Sequence, residues 1–197
     1  MSDFFALISR MRYISRWGLM RNTDPENVQE HSHMVAILAH ALALLQNKHF
    51  GGHIDPGQAV LLALYHDATE ILTGDLPTPI KYYNPALRAS YKEVEETAAN
   101  RLLELLPEEL RGDYAPYLLH PDPELEAVVK AADKLDAYLK CVKERKAGNG
   151  EFQTAQVQIW DALQANPLPA LGYFIQHYLP SFELTLDQLN GSTHTMF

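Results

Sequence analysis

His66 and Asp67 stand side by side in an otherwise apolar run, AVLLALYHDATEIL, and no other His-Asp pair occurs in the chain. Two ligand-type side chains among Ala, Leu and Ile need partners, because a buried polar group left unsatisfied costs about 1–3 kcal/mol. A second histidine-bearing run lies upstream (VQEHSHMVAILAHAL) and an aspartate-bearing run lies downstream (VVKAADKLDAYL). In chain order these supply His31, His66, Asp67 and Asp133, a set of imidazoles and carboxylates that can hold one divalent metal. His33 could stand in for His31, and Asp136 for Asp133. An ion held this way points to metal-assisted hydrolysis. No local motif such as His-Glu-x-x-His is present, so the reading rests on the whole pattern.

Three further groups carry chemistry. Glu70 lies four residues after His66 and shares its helical face, which suits either an acid/base at the metal or an acceptor for a ligand histidine. Arg16-Trp17 offers a planar fork that suits a phosphate and a rigid apolar wall beside it; a surface Arg next to a core Trp is the plainer alternative. In Gly74-Asp75-Leu76-Pro77-Thr78-Pro79-Ile80-Lys81, two prolines stiffen a loop that can hold Asp75, Thr78 and Lys81 over the metal; an ordinary helix-ending loop is the alternative.

The elements that must position these groups read as almost entirely helical, with no convincing period-two alternation. Asp55-Pro56, Asn84-Pro85 and Asp122-Pro123 each place a capping side chain ahead of a proline suited to the first helical turn. Asp24-Pro25 reads instead as a turn, with Asn27 and Glu30 forming a capping box for the helix that follows. Expected helices run over about 3–14, 27–47, 56–72, 85–106, 108–118, 123–146, 151–165 and 169–178, with Gly74 and Gly148 as stops. We expect an all-α bundle of about seven or eight helices, one domain over 1–189, and a flexible tail over 190–197.

Composition bounds the rest. The 197 residues are 47% hydrophobic with a formal charge of −9, which excludes disorder and argues against a nucleic-acid polymer as partner. One cysteine, Cys141, permits no internal disulfide and reads as a small core residue. The N-terminus lacks the features of a secretory signal, and the apolar stretch from Met34 to Leu45 contains His40 and is too short to span a bilayer. These features lead us to expect a cytoplasmic protein with no membrane partner.

The His…His-Asp…Asp order resembles that of the HD-domain phosphohydrolases. Nearly the whole chain is similar to the YfbR-type 5′-deoxynucleotidases of bacteria, through SRWGLMRN, ENVQEHS, ALYHDATEILTGDLPTPIKY, PEELR and AYLKC. The resemblance implies His31, His66, Asp67 and Asp133 as ligands of one divalent metal (Co, Mn, Zn or similar), an all-helical fold and a homodimer. It implies a catalytic role for Glu70, and that Asp75, Leu76, Pro77 and Thr78 line the substrate site. It also implies that Arg16 and Trp17 contact the nucleotide, with Trp17 set against a 2′-hydroxyl. Lys81 is our own addition as a phosphate partner, and Asp67 touches both metal and substrate in this scheme.

The chemistry expected is hydrolysis of deoxyribonucleoside 5′-monophosphates. Glu70 or Asp75 orients or deprotonates a water, and Arg16 neutralises phosphoryl charge. No cluster of Asn or Gln lies beside these motifs, so base tolerance is expected. The alternatives are another HD activity (a cyclic-nucleotide phosphodiesterase or deoxynucleoside triphosphate hydrolase) or a helical module with a structural metal. His120, the one further histidine between Asp67 and Asp133, is not expected to be a ligand, nor are His177 and His194.

Overall fold

The computed structural model describes residues 2–77, 80 and 83–191. Thr78 and Lys81 of the expected substrate loop lie outside the described residues, as do positions 192–197 of the expected tail, His194 among them.

Helices α1 (Phe4–Ile8), α2 (Val28–His49), α3 (Pro56–Tyr65), α4 (Glu70–Thr73), α5 (Pro85–Glu104), α6 (Glu108–Leu118), α7 (Pro123–Lys146), α8 (Gln153–Gln164), α9 (Pro169–His177) and α10 (Leu186–Asn190) follow one another. Three-residue-per-turn segments occupy Ser9–Tyr13, Gly150–Phe152 and Leu179–Glu183. No strand occurs among the described residues, which bears out the all-helical reading.

The caps act where the sequence puts them. Asp55, Asn84 and Asp122 each accept backbone N–H bonds at the start of α3, α5 and α7, with proline following at the first helical position. Asn27 and Glu30 form both halves of a capping box, so α2 starts one residue from its expected position.

α2 is the central element. It packs on α3 and α7, and α9 closes against it. Val35, Leu38, Leu42, Leu62, Val128, Leu135 and Leu171 fill the space between them and are nearly or fully buried. A smaller cluster of Phe4, Ala68, Leu102 and Leu106 ties α1 to α5 and the α3–α4 connection. Cys141 is buried on α7, and burial pushes its thiol up to about 12, so it is inert packing.

One expected helix is corrected. The run 56–72 is not continuous: α3 ends at Tyr65 and α4 begins at Glu70. His66 is the C-terminal cap of α3, and its Nδ1 lies 2.7 Å from the Ala63 carbonyl. That carbonyl is the acceptor Asp67 N–H would use in a continuing helix, and a side chain that competes for it loosens the helix. The chain tightens to Ala68 N–H to Tyr65 O and Glu70 N–H to Asp67 O, both 3.0 Å. His66 and Glu70 therefore flank a turn instead of sharing one helical face. Gly74 then ends α4 at φ +73°, ψ 163°, a conformation closed to residues with a Cβ.

Between the three-residue-per-turn segment Ser9–Tyr13 and α2, the only regular pairing is one antiparallel bridge, Ser15 to Asn27. It is fastened to the end of α7 by a buried charge cluster. Lys140 and Glu144, one turn apart and with side chains 1% and 0% exposed, pair at 2.5 Å. Burial works to raise the Glu144 pKa, but Lys140, Thr23 and Asn149 outweigh it and hold the carboxyl well below its ordinary 4.5. A carboxylate depressed in the native state contributes stability that is complete above its unfolded pKa and is lost as pH falls toward the native one. The melting temperature is expected to drop as pH is lowered from about 5 to about 3, and to drop less steeply in Glu144→Gln. Parallel curves for the two proteins would show that Glu144 contributes nothing to acid sensitivity.

Candidate metal and phosphate site

His31 enters from the first turn of α2 and is 1% exposed. Its Nδ1 meets Asp136 Oδ2 at 2.7 Å. Its Nε2 points the other way, 3.2 Å from Asp133 Oδ1 and 3.5 Å from Asp67 Oδ2. His66 comes from the end of α3, with Nδ1 on the Ala63 carbonyl and Nε2 3.2 Å from Asp67 Oδ2. The two rings lie 5.3 Å apart, centre to centre.

An Nδ1 that faces a carbonyl oxygen must carry the proton, so the neutral His66 ring presents a lone pair at Nε2; Asp136 orders His31 in the same way. Both Nε2 atoms are buried, and neither has a well-aligned hydrogen-bond partner among the described residues. Donor atoms of His31, His66 and Asp133 all lie within 4.8 Å of one another. Two orphaned imidazole nitrogens facing carboxylates fit a divalent cation, whose charge the acids balance and whose empty orbitals the nitrogens fill.

Burial disfavours the charged His31 ring, yet Asp133 and Asp136 more than compensate and push its pKa up to about 9. Burial also opposes charge on His66, and Asp67 reverses the sign, leaving its pKa raised. Burial would raise the pKa of Asp67 and Asp133, but the neighbouring histidines, and Arg16 for Asp67, hold both low.

Of the alternatives weighed on the sequence, the geometry separates each pair. His31 points inward, whereas His33 is exposed. Asp133 faces the Nε2 side, whereas Asp136, 5% exposed, backs the ring at Nδ1. Asp136→Asn is expected to weaken metal affinity by about 10–100-fold with helicity intact, measured by metal-buffered titration. Unchanged affinity would mean that Asp136 does not orient the ring.

Arg16 lies across the mouth of this set, its side chain 11% exposed. Nε donates to Glu26 Oε1 at 2.9 Å, and Nη1 lies 3.4 Å from Asp67 Oδ2. Neither contact uses Nη2. Burial opposes the Arg16 charge, but Asp67, Asp133, Glu26 and Asp75 together raise its pKa, so it stays cationic. The structure thus brings Arg16 to the metal set and departs from the plainer reading of a surface arginine.

Trp17 holds φ +59°, a left-handed conformation that costs a residue with a Cβ about 1–2 kcal/mol. Met20 N–H on the Trp17 carbonyl at 2.9 Å, and the Phe152 ring 5.3 Å from the indole, keep it there. Its Nε1 is buried with no hydrogen-bond partner among the described residues, a donor that a bound oxygen can satisfy.

Asp75 follows Gly74 and is half-buried. Burial raises its pKa, with Asp67 adding to the effect; Arg16 and the Trp17 backbone N–H oppose it. Leu76 and Pro77 continue the half-buried loop, and Glu70 opens α4, half-buried, one short turn after His66. His120 and His177 are both exposed, and His177 packs on Tyr173 at 4.2 Å.

Sequence reasoning missed Glu26 and Phe152. Glu26 had a weak signal, its place just before the capping box. Phe152 had none, since only the return of the chain past Gly150 sets it behind Trp17.

A model of the family described as 5′-deoxynucleotidase YfbR-like matches residues 3–182. The 5′-deoxynucleotidase of Vibrio parahaemolyticus is 51% identical over 191 residues, covering 96% of this chain and 98% of the relative. That of Shewanella oneidensis is 50% identical over 192 residues, with the same coverage. Among solved structures, an HD-domain phosphohydrolase from Listeria innocua superposes with a TM-score of 0.80 at 22% identity, over 95% of this chain and 92% of that one. The cyanophage S-2L HD phosphohydrolase DatZ, solved with dA and one catalytic zinc ion, gives 0.62 at 23% identity, over 91% and 96%. These two structures share the fold, while the family model and the sequence relatives place the chain: it belongs to the YfbR-like 5′-deoxynucleotidase family.

Proposed function

We propose that this chain hydrolyses deoxyribonucleoside 5′-monophosphates to deoxyribonucleoside and phosphate, using one divalent metal and excluding ribonucleotides. The observation that carries the reading is the pair of buried, partnerless Nε2 atoms of His31 and His66 facing Asp67 and Asp133, with the Arg16 guanidinium beside them. His31, His66, Asp67 and Asp133 would hold the ion, which, when bound, supplies Lewis acidity and lowers the pKa of a bound water from 15.7 toward about 7.

The chain's own groups do the remaining work. Arg16, fixed by Glu26 and Asp67, directs its remaining N–H groups at phosphoryl oxygens and offsets the charge that builds there. Glu70 and Asp75 are the carboxyl groups assigned to orient the attacking water and move its proton. The raised pKa of Asp75 suits it to hold a proton. The P–O bond to the 5′-oxygen breaks, and a proton restores the hydroxyl. Leu76 and Pro77, with Thr78 and Lys81 beyond the described residues, complete the substrate loop. Trp17 is the group assigned to exclude an added 2′-hydroxyl, a role supported by the family resemblance and by its fixed conformation, and exclusion of one hydroxyl is worth up to roughly 100-fold.

The finer parts of the reading are base tolerance, a homodimer and a cytoplasmic setting, supported by the family resemblance and by the acidic, single-cysteine composition. A sedimentation mass of a single chain at micromolar concentration would remove the dimer. Among the described residues, no helix is long and apolar enough to cross a membrane.

The test is phosphate release from paired 5′-deoxyribonucleotides and 5′-ribonucleotides, with chelated protein and Mn, Co or Zn added back. Metal-dependent release from the deoxy forms is expected. No release from either, with helicity intact, overturns the activity, and equal release from both overturns the sugar selectivity.

A further inference from the structure

Besides the Trp17 N–H bond to Asp75, the Arg16–Trp17 segment is held at its ends and at its tip. Its ends are closed onto one another by Arg16 N–H to Glu26 O at 2.9 Å and Val28 N–H to Ile14 O at 3.0 Å. Its tip, from Trp17 to Asp24, is tied to residues 140–151. Thr23 N–H donates to Glu144 Oε2 at 3.0 Å, Asp24 N–H to Glu144 Oε1 at 3.2 Å, and the Thr23 hydroxyl to Oε2. Asn149 Nδ2 donates to the Arg21 carbonyl at 2.7 Å and to Glu144 Oε2 at 2.9 Å, and Lys140 Nζ donates to the Asp24 carbonyl. Arg21 N–H meets Glu151 Oε1 at 3.2 Å. Phe152, the next residue, is the ring behind Trp17.

We propose that Glu144, braced by Lys140 and Asn149, is a positioning residue for this segment and sets the sugar discrimination of the site by fixing where the Trp17 indole stands. The proposal rests on the deoxynucleotidase reading above.

The physical case begins with what an apolar residue at 144 would lack. Replacing a buried ion pair by well-packed hydrophobic residues is often neutral or stabilising, so stability alone does not explain a fully buried carboxylate here. An apolar side chain cannot accept from two consecutive backbone N–H groups and a hydroxyl at once. Those bonds fix the tip in orientation as well as in place. Orientation matters because Trp17 sits in a left-handed conformation that persists only where its surroundings over-determine it. A tip released from Glu144 can relax at Trp17, and a relaxed indole no longer presents a rigid wall. Arg16 is fixed separately by Glu26 and Asp67, so the metal and phosphate contacts should survive the change.

The chain has two tryptophans, so Trp160→Phe leaves Trp17 as the sole tryptophan, excited selectively over the tyrosines at the red edge of the absorption band. In that background we would compare Glu144→Gln and the milder Thr23→Val, which deletes one hydroxyl and retains the volume. The readouts are acrylamide quenching of Trp17, metal content, kcat and KM for a matched deoxyribonucleotide and ribonucleotide, and hydrolysis of p-nitrophenyl phosphate. In Glu144→Gln, quenching is expected to rise about twofold, and the deoxy-to-ribo ratio of kcat/KM to fall about tenfold against a ceiling of roughly 100-fold. Metal content and p-nitrophenyl phosphate turnover are expected to stay within about twofold of the parent. Thr23→Val should move the same readouts in the same direction by less, and it decides the matter if Glu144→Gln does not fold. A folded, metal-loaded variant with the parent's quenching and the parent's ratio overturns the proposal. If the parent itself shows no sugar preference, the deoxynucleotidase reading has failed, and the quenching data alone decide positioning: a rise supports it and no change overturns it.

Discussion

His66→Ala is expected to leave a folded protein that retains no stoichiometric metal and releases phosphate at least about 10³-fold more slowly than wild type. The size follows from what is lost, a Lewis acid worth several kcal/mol of transition-state stabilisation. His66 is the better choice than His31 for this experiment. Its ring caps the end of α3, its side chain is 14% exposed, and its loss deletes one bond to the Ala63 carbonyl. The His31 side chain is fully buried, and its loss would strand Asp136 without its imidazole partner, so a fold defect would confuse the result. Metal analysis after gel filtration, with circular dichroism on the same sample, checks the prediction. Full metal content with full activity would remove His66 from the ligand set; lost metal with full activity would mean that the ion is structural.

Arg16→Ala is expected to cost about 10²–10³ in kcat, the typical loss when one donor to a developing anion is removed. The change also strands Glu26 and Asp67, whose carboxylates Arg16 bridges, so metal affinity must be measured beside activity. Arg16→Lys separates the two effects. An ammonium keeps the charge, yet as a compact point charge it cannot reproduce the fork that reaches Glu26 and Asp67 together while aiming a third group outward. Lysine should therefore restore metal retention more than it restores kcat. Full activity in Arg16→Lys would show that charge alone suffices and that the fork does not orient the phosphate.

Much of this architecture is legible because it is written in local chemistry. Asp55-Pro56, Asn84-Pro85 and Asp122-Pro123 each act within three residues of themselves, so the starts of α3, α5 and α7 need no tertiary information. The exception is instructive. The apolar run 56–72 has helical composition throughout, and the break after Tyr65 comes from a His66 ring nitrogen competing for the Ala63 carbonyl. Propensity carries no trace of that competition, because it depends on which way one ring is turned.

For the site, residue types and order were enough to nominate His31, His66, Asp67 and Asp133, since imidazole and carboxylate donors together suit a divalent metal whatever the fold around them. Spacing puts His31 on the stripe of Val35, Leu38 and Leu42 and so favours it over His33, but the separate duties of Asp133 and Asp136 could not be read that way. Neighbours on a helix differ by a rotation, and only the packing of α2 against α3 and α7 says what each one faces. Glu26, Phe152 and the Lys140–Glu144–Asn149 cluster lie further still from any sequence signal. Glu144 is separated from Thr23 by 121 positions, and two of its partners are the backbone N–H groups of Thr23 and Asp24, a donor that every residue but proline possesses. The sequence of this chain nominates the donor types and marks the capped helix starts, because ligand type and capping are properties of side chains and their immediate neighbours. The tertiary structure alone decides which atoms face one another across α2, α3 and α7, because contact between distant segments arises only once burial has brought the helices together.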